Sequence, residues 1–189
     1  MLVEVTWKIL LYGWWALEVY LLVRTRTRSG EGKVQDRGSL RVLWLTIFLS
    51  VTAATWIGSA TPRQFGRHAG WVVVAAEAML AFGLLFRVAA IVTLGRAFSV
   101  NVAIREGQRV MKGGLYGLVR HPSYTGLVII FAALGLGERN YFSLAIMTVC
   151  PTAALLYRIH VEEAALREHF GAEYLAYCAE TKRLVPGVY

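Results

Sequence analysis

The sequence predicts an all-α integral membrane protein, and three observations support this class. Of its 189 residues, 57% are apolar and the mean hydropathy is positive, which exceeds the usual content of a soluble domain. Apolar runs near the 20 residues that a helix needs to cross a 30 Å hydrocarbon layer recur along the chain. Lys and Arg concentrate in alternate connections between these runs, as the positive-inside rule requires.

About five transmembrane helices are expected from these runs. Four runs are long, and they cover residues 5–23, 40–60, 71–94 and 141–159. A shorter run covers residues 122–136, and only residues 137–140 join it to the last span, which predicts a helical hairpin. The first run contains Glu18 and lacks a small-residue cleavage site, so we expect it to remain as a helix rather than to be removed as a signal peptide.

The basic residues predict the orientation of the chain. Fifteen of the 20 Lys and Arg residues lie in residues 24–41, in residues 96–120 and in the tail from Arg158, whereas the opposite connections carry only Arg63, Arg67 and Arg139. This asymmetry places the amino terminus outside and the carboxyl terminus in the cytoplasm, with the protein most simply in the cytoplasmic membrane. Topology and anionic lipid account for the net charge of +8, so nucleic acid binding is not expected.

The chain is interpreted as a single membrane domain, residues 1–189. Residues 1–94 supply three transmembrane helices, and residues 95–189 supply a cofactor-binding loop, the helical hairpin and C-terminal helices that form the catalytic region. Cys150 and Cys178 lie far apart with no metal-ligand spacing, so they are interpreted as packing residues and no metal site is expected.

The segment from Gly113 to residue 126 combines glycines, tyrosines and a histidine at the expected cytoplasmic boundary. Gly113 and Gly114 permit positive φ angles and close approach to a ligand, and Pro122 suits the first turn of a helix. Ser123 and Tyr124 would then present free backbone N–H groups to a bound carboxylate. The alternative is that Arg120 and His121 only anchor a helix among lipid headgroups.

A second polar segment follows the last span on the same predicted side. Arg158 and Glu162 are four residues apart and share one helical face, while Glu163 points elsewhere and can pair with Arg167. A plain Arg158–Glu162 ion pair is possible, but arginine on the amino-terminal side is the weaker orientation in a helix. Both side chains are therefore candidates for ligand binding.

The chain ends in an amphipathic tail. Its apolar face carries residues at spacings of three and four, interrupted at Gly171. The members of that face are Leu166, Phe170, Tyr174 and Tyr177. This pattern predicts either a lid that packs back over the loop or a helix that lies on the membrane surface.

Together these motifs resemble one known family. The run Gly-Leu-Tyr-Gly-Leu-Val-Arg-His-Pro-Ser-Tyr-Thr-Gly, then Arg158-x-x-x-Glu162-Glu163-x-x-Leu166, then Phe170-Gly171-x-x-Tyr174-x-x-Tyr177 and Val185-Pro186, is similar to the isoprenylcysteine carboxyl methyltransferase family and to related membrane phospholipid methyltransferases. The resemblance covers residues 95–186. It implies transfer of a methyl group from S-adenosylmethionine to a lipophilic small molecule, lipid or prenylated acceptor, with the cofactor between the loop and the tail.

By position, the resemblance implies a set of cofactor contacts and one residue for substrate and catalysis, Arg158. The cofactor set is Gln108, Arg109, Val110, Met111, Tyr116, His121, Pro122, Ser123, Tyr124 and Glu162, with Asn101 a weaker candidate. Gln108 and Arg109 replace the family's histidine-led sequence, so backbone contacts are expected there. Arg158 would bind a carboxylate acceptor through two hydrogen bonds, and Glu162 would engage the ammonium or ribose hydroxyls of the cofactor.

Several alternatives remain open at the level of sequence. An amine acceptor would need a base, for which Glu162, His121 and Tyr124 are the nearest candidates. Membrane sterol reductases carry a similar Arg-His-Pro-x-Tyr segment and use a nicotinamide cofactor, and a non-catalytic scaffold is a third possibility. The oligomeric state is open. Glu18, Glu77 and Arg87 lie inside spans and should face inward, where Arg87 either reaches the site or pairs with a glutamate.

Overall fold

The computed structural model describes residues 2–25, 32–34, 36, 38–62, 65, 70–105 and 107–189. The elements in chain order are α1 (Leu2–Arg24), β1 (Gly32–Val34), α2 (Ser39–Ala60), α3 (Gly70–Leu94), β2 (Ala103–Arg105), α4 (Pro122–Gly137), α5 (Tyr141–Phe170) and α6 (Ala172–Glu180). Short 3₁₀ turns occupy Gly95–Ala97 and Gly114–Gly117. Some of the basic residues that predict orientation lie outside the described residues: Arg26, Arg28, Arg37, Arg63 and Arg67.

All five expected helices form, and the helical hairpin is confirmed. The α4–α5 turn is closed by Asn140, whose side chain accepts hydrogen bonds from the backbone N–H groups of Phe142 and Ser143 and so caps α5. Helix α5 continues past the apolar run that ends at residue 159 and ends at Phe170, as the shared helical face of Arg158 and Glu162 and the interruption at Gly171 predict. Its charged continuation carries the expected pair between Glu163 and Arg167, four residues apart.

Three helices in the described part of the chain are long and apolar enough to cross a membrane: Ser39–Ala60, Gly70–Ala97 and Tyr141–Phe170. Helix α4 is apolar but has only 16 residues, about 24 Å of helix. Helix α1 has 23 residues and carries Glu4, Lys8, Glu18 and Arg24, which lower its hydropathy. Helix α4 therefore differs from the three candidate spans in its length, and α1 differs from them in its content of charged residues.

Successive helices run in alternate directions, so the bundle has two distinct ends. At one end, Asn140 Nδ2 in the α4–α5 turn donates to Thr61 Oγ1 (2.6 Å), just after α2. At the other end, Ser99 Oγ, following α3, donates to the backbone oxygen of Thr25 (3.0 Å), just after α1. The polar segments after α3 and the carboxyl-terminal half of α5 meet at this second end, which is called the site end below.

A two-stranded ribbon, absent from the sequence-based expectation, also lies at the site end. Strands β1 and β2 pair antiparallel, with Lys33 opposite Ile104. The ribbon ties the α1–α2 connection to the segment that follows α3. Strands of three residues are too short to produce a recognisable alternation of apolar and polar residues.

Helices α3 and α4 cross closely because glycines face each other. A Cβ atom on Gly126 would lie 2.9 Å from the backbone oxygen of Gly83 and 2.8 Å from Arg87 Cβ. Real Cβ atoms do not approach so closely, so only glycine permits this separation. The crossing brings Arg87 of α3 against the first turns of α4, where the candidate site begins.

Candidate functional site

The loop that precedes α4 adopts the conformation its glycines predict. Gly114 has a φ of +57° and starts the 3₁₀ turn, and Pro122 is the first residue of α4. One expectation is wrong: the Tyr124 N–H is not free, because it donates to the backbone oxygen of His121 (3.0 Å). The first turn of α4 closes on its own N-cap residue, so this amide is not available to a bound carboxylate.

The carboxyl-terminal tail packs back onto the loop. The backbone N–H groups of Arg120 and His121 donate to the oxygens of Lys182 (2.7 Å) and Arg183 (3.0 Å). Tyr174 and Tyr177 of α6 are 2% and 3% exposed. The tail therefore packs back over the loop, as the first of its two interpretations predicts.

Glu163 anchors this closed arrangement. Its side chain is fully buried and accepts charge-assisted contacts from Arg120 Nε (2.9 Å), Arg167 Nη2 (2.7 Å) and Arg183 Nη2 (3.1 Å). The hydrogen bonds to Glu163 raise the pKa of Arg183 above its ordinary value. The expected Arg167 pair is confirmed, whereas Arg120 and Arg183 come from remote segments whose meeting periodicity cannot predict.

Between the loop, α5 and the tail lies a cavity with about 870 Å³ of empty space, called the large cavity. Nine of the ten residues expected to contact a cofactor line it: Gln108, Arg109, Val110, Met111, Tyr116, His121, Ser123, Tyr124 and Glu162. Asn101 lines it as well. Pro122 is fully buried and is not part of the wall.

Sequence reasoning assigned no cofactor contact to several other lining residues. They include Phe98, Ile104, Arg120, Ala165 and the aromatic face of the tail, Phe170, Tyr174 and Tyr177. The spacing of the tail aromatics was the signal available for the last three. Phe98 and Ile104 lie in irregular chain and a three-residue strand, where no periodicity marks an inward face.

Tyrosine hydroxyls in this region act as hydrogen-bond donors. Tyr177 Oη donates to the backbone oxygen of Tyr116 (2.6 Å), fastening α6 to the 3₁₀ turn. Burial raises the pKa of Tyr116 above its ordinary value and raises the pKa of Tyr177 to about 12. Both hydroxyls therefore stay protonated at physiological pH.

Tyr124 links the large cavity to Arg158. Its hydroxyl donates to Glu162 Oε2 (2.7 Å) and accepts from Arg158 Nε (3.0 Å). No direct Arg158–Glu162 ion pair is present among the described residues, so the plain ion pair considered from the spacing is wrong. The His121 ring stacks on the Tyr124 ring, with centroids 5.6 Å apart and planes 12° from parallel.

Arg158 does not line the large cavity but lies behind Tyr124, 2% exposed. Its Nη1 donates to Asp36 Oδ1 (2.9 Å) and Ser39 Oγ (3.0 Å), and its Nη2 donates to the backbone oxygen of Val100. Sequence reasoning missed Asp36 and Ser39, which lie in the half of the chain treated only as generic spans. The Asp36 carboxylate is thus bound to the Arg158 guanidinium group, which the sequence analysis expected to bind a substrate carboxylate.

A second cavity, with about 530 Å³ of empty space, adjoins Arg158 and is called the small cavity. It shares Phe98, Ser99 and Tyr124 with the large cavity and has walls from α1, α2, α3, α4 and α5. Its apolar lining consists of Trp14, Leu40, Leu43, Trp44, Ile47, Phe98, Val100 and Leu127. The structure therefore places an apolar space and a guanidinium group side by side, and Phe98, Ser99 and Tyr124 form the boundary with the large cavity.

Arg87 and Glu18 form a buried ion pair in the wall of the small cavity. Arg87 Nε and Nη2 contact Glu18 Oε1 (2.6 Å) and Oε2 (2.8 Å), and Arg87 Nη1 donates to Ser123 Oγ (2.7 Å). Arg87 therefore both pairs with a glutamate and reaches the site, and the inward orientation expected for Glu18 and Arg87 is confirmed. Glu77 Oε1 is buried without a hydrogen-bond partner in the described part of the chain.

These features define a helical protein with membrane-spanning helices and a ligand-sized site at one end of its bundle. The sequence profile of the isoprenylcysteine carboxyl methyltransferase (ICMT) family matches residues 73–168, which include most of α3, all of α4 and most of α5. The chain belongs to this family.

Named relatives share the same region. Protein-S-isoprenylcysteine O-methyltransferases A and B of Arabidopsis thaliana are 32% and 31% identical over 120 residues, covering 62% of this chain. This chain spans 61% of the length of those two relatives. The uncharacterized protein YpbQ of Bacillus subtilis is 22% identical over 170 residues, which cover 82% of this chain and 97% of YpbQ.

Proposed function

We propose that this chain is an S-adenosylmethionine-dependent methyltransferase that esterifies a carboxylate on a lipophilic acceptor at the membrane. The single observation that carries this proposal is the position of Tyr124. Its hydroxyl bonds on one side to Glu162 in the large cavity and on the other to Arg158, which already holds a carboxylate, that of Asp36. Family membership and the names of the Arabidopsis relatives support the same chemistry.

The residues of the large cavity fit S-adenosylmethionine, a methyl donor that supplies an electrophilic methyl group on a sulfonium. Glu162 suits its ammonium or ribose hydroxyls, and the aromatic side chains suit adenine and the cationic sulfonium. Tyr174 offers a buried hydroxyl with no partner among the described residues, which is consistent with a wall built to meet a ligand.

The assignment extends to the full set of proposed cofactor contacts. Residues 108–111 contribute mainly backbone atoms, and the side chains are those of Tyr116, His121, Ser123, Tyr124 and Glu162. Pro122 contributes by fixing the start of α4, because it does not line the cavity. Arg87 holds the Ser123 hydroxyl through its Nη1, which leaves the hydroxyl proton available for a ligand.

The small cavity is proposed to hold the lipophilic acceptor. Its apolar lining suits a hydrocarbon chain, and Arg158 at its boundary suits the carboxylate, which would replace Asp36. A carboxylate is already anionic at physiological pH and needs no general base, so the site has only to align it with the methyl donor. Such alignment contributes about 7–11 kcal/mol to lowering a barrier. The planar guanidinium group of Arg158 is held in place by Tyr124, Ser39 and Val100, so it can orient the acceptor carboxylate.

The proposed membrane topology has five crossings, with the site end in the cytoplasm and the protein in the cytoplasmic membrane. The alternate directions of α1 to α5 support this count, although α4 is short and α1 is charged. Basic side chains gather at the site end, including Arg24, Arg96, Lys112, Lys182 and Arg183. The catalytic region is proposed to be residues 95–189, with Asp36, Ser39, Glu18 and Arg87 added from the first half.

Binding and turnover experiments test the proposal. The purified protein in detergent should bind S-adenosylhomocysteine saturably and gain thermal stability, whereas NADPH should have no effect. With labelled S-adenosylmethionine, methyl groups should enter prenylcysteine analogues as alkali-labile esters. Alkali-stable label in membrane lipid would point to amine methylation, and saturable NADPH binding without a response to S-adenosylhomocysteine would replace the proposal with a reductase.

A further inference from the structure

Tyr174 has an unusual position in the wall of the large cavity. It lies in the first turn of α6, which begins after Gly171 with its φ of +53°. Its ring packs edge-on against Tyr177, with centroids 6.0 Å apart, and the residue is 2% exposed. It also lines the large cavity, so its burial comes from the closed tail and the cavity wall together.

The Tyr174 hydroxyl has no hydrogen-bond partner among the residues the structure describes. Two of the three other tyrosines that line the cavity have paired hydroxyls: Tyr177 Oη bonds to the backbone oxygen of Tyr116, and Tyr124 Oη bonds to Glu162 and Arg158. Buried hydroxyls are almost always paired, because an unpaired one loses its bonds to water without replacement. An unpaired hydroxyl that lines a cavity therefore indicates a partner supplied by a ligand.

The surroundings of Tyr174 define the chemistry of that partner. Burial raises the pKa of Tyr174, so its hydroxyl keeps its proton and can donate a hydrogen bond to an acceptor in the cavity. Its charged neighbours are Glu162, Glu163 and Arg120. Glu163 is already paired with three arginines, and one of them, Arg120, lines the cavity together with Glu162. Glu162 suits an ammonium group, and an amino acid carries its carboxylate on the same carbon as its ammonium, so the Tyr174 hydroxyl and the Arg120 guanidinium suit that carboxylate.

We infer that the Tyr174 hydroxyl binds the carboxylate of the amino-acid portion of S-adenosylmethionine. This assignment rests on the proposed function and adds a specific contact from the tail. It makes α6 part of the binding site rather than only its cover. It also explains why a buried, unpaired hydroxyl is retained, since the ligand satisfies a group that destabilises the protein alone.

Tyr174→Phe tests the inference through two opposite effects. Removing the hydroxyl relieves an unpaired buried group, so the ligand-free protein should melt about 2–4 °C higher. The same change should weaken S-adenosylhomocysteine binding by about tenfold to a hundredfold, measured by titration calorimetry in detergent. Binding of 5′-methylthioadenosine, which lacks the amino-acid portion, should change less than about twofold.

Tyr177→Phe is the matched control, three residues away on the same helix. Its hydroxyl bonds to the backbone of Tyr116, so its removal should lower the melting temperature instead of raising it. Unchanged S-adenosylhomocysteine affinity in Tyr174→Phe, or equal losses for both ligands, would overturn the carboxylate assignment. Failure of the unmodified protein to bind S-adenosylhomocysteine would overturn the proposed function itself, and the inference with it.

Discussion

Substituting Arg158 by lysine tests the division of the site between cofactor and acceptor. Arg158 uses separate nitrogens for Tyr124, Asp36 with Ser39, and Val100. A lysine ammonium keeps the charge but concentrates its donors at one point, so it cannot span these partners. Because Arg158 does not line the large cavity, the change should affect acceptor binding and alignment rather than the cofactor.

The expected magnitude follows from the contacts. Loss of one of the two hydrogen bonds to an acceptor carboxylate removes about 1.5–3 kcal/mol, because bonds to charged groups have that strength. This corresponds to about a 10- to 150-fold loss in kcat/KM for the acceptor. The lost contacts of the charged guanidinium to Tyr124 and Val100 contribute about 1.5–3 kcal/mol each, so the variant should also melt at a lower temperature, and its titrations are made below that temperature.

The assay combines calorimetric titration of S-adenosylhomocysteine with labelled methyl transfer to a prenylcysteine analogue. Arg158→Lys should change cofactor affinity less than about threefold while kcat/KM falls as stated. Glu162→Gln should act mainly on the cofactor. Its affinity for S-adenosylhomocysteine should fall about tenfold or more, because a contact with a charged group is lost. Arg139→Lys, in the turn at the opposite end of the bundle, serves as the matched control and should change neither quantity.

The reasoning would be refuted by a tenfold loss of cofactor affinity in Arg158→Lys with an unchanged acceptor KM. That pattern would place the guanidinium group in the cofactor site. Arg158→Lys and Glu162→Gln could also have equal effects on cofactor affinity and on kcat/KM for the acceptor. That result would refute the assignment of one residue to each ligand, because it would mean that Tyr124 couples the two residues too strongly for separate roles.

Three further predictions follow from the contacts and titration behaviour of the site. Asp36→Asn should lower the acceptor KM about five- to tenfold, because a neutral amide competes less well for Arg158 than a carboxylate does; a higher KM in a methyl-transfer assay would contradict displacement of Asp36. Glu163→Gln should destabilise the protein by about 3–5 kcal/mol by leaving Arg120, Arg167 and Arg183 without their shared carboxylate. Hydrogen exchange should then accelerate in residues 172–189, and unchanged exchange there would mean that Glu163 does not hold the tail closed. Burial raises the pKa of Tyr177 from 10.0 to about 12, so its contribution to stability is complete below pH 10 and is lost as the pH rises to 12. Melting curves should show a loss of about 1.4 kcal/mol per pH unit in that window, and Tyr177→Phe, although less stable overall, should lack this component.

Local signals in the sequence were sufficient for the helices and for the loop. The apolar runs predicted five helices, and the residues that end or begin them, such as Asn140 and Pro122, act through their own backbone geometry. Gly114 adopts the positive φ that its residue type permits. The spacing of Glu162 and Glu163 was enough to predict that they point in different directions. Most residues expected to contact a cofactor line one cavity because they belong to short, continuous segments.

The sequence alone therefore determined the membrane class, the helices and the segments that carry the chemistry, because each depends on neighbours within a few residues along the chain. Only the tertiary structure decided which groups meet: Asp36 with Arg158, Glu18 with Arg87, and Arg120 and Arg183 with Glu163. The partners in the first two pairs are 122 and 69 residues apart. Helix packing sets such distances, and no periodicity within a single helix specifies which face of another helix it will meet.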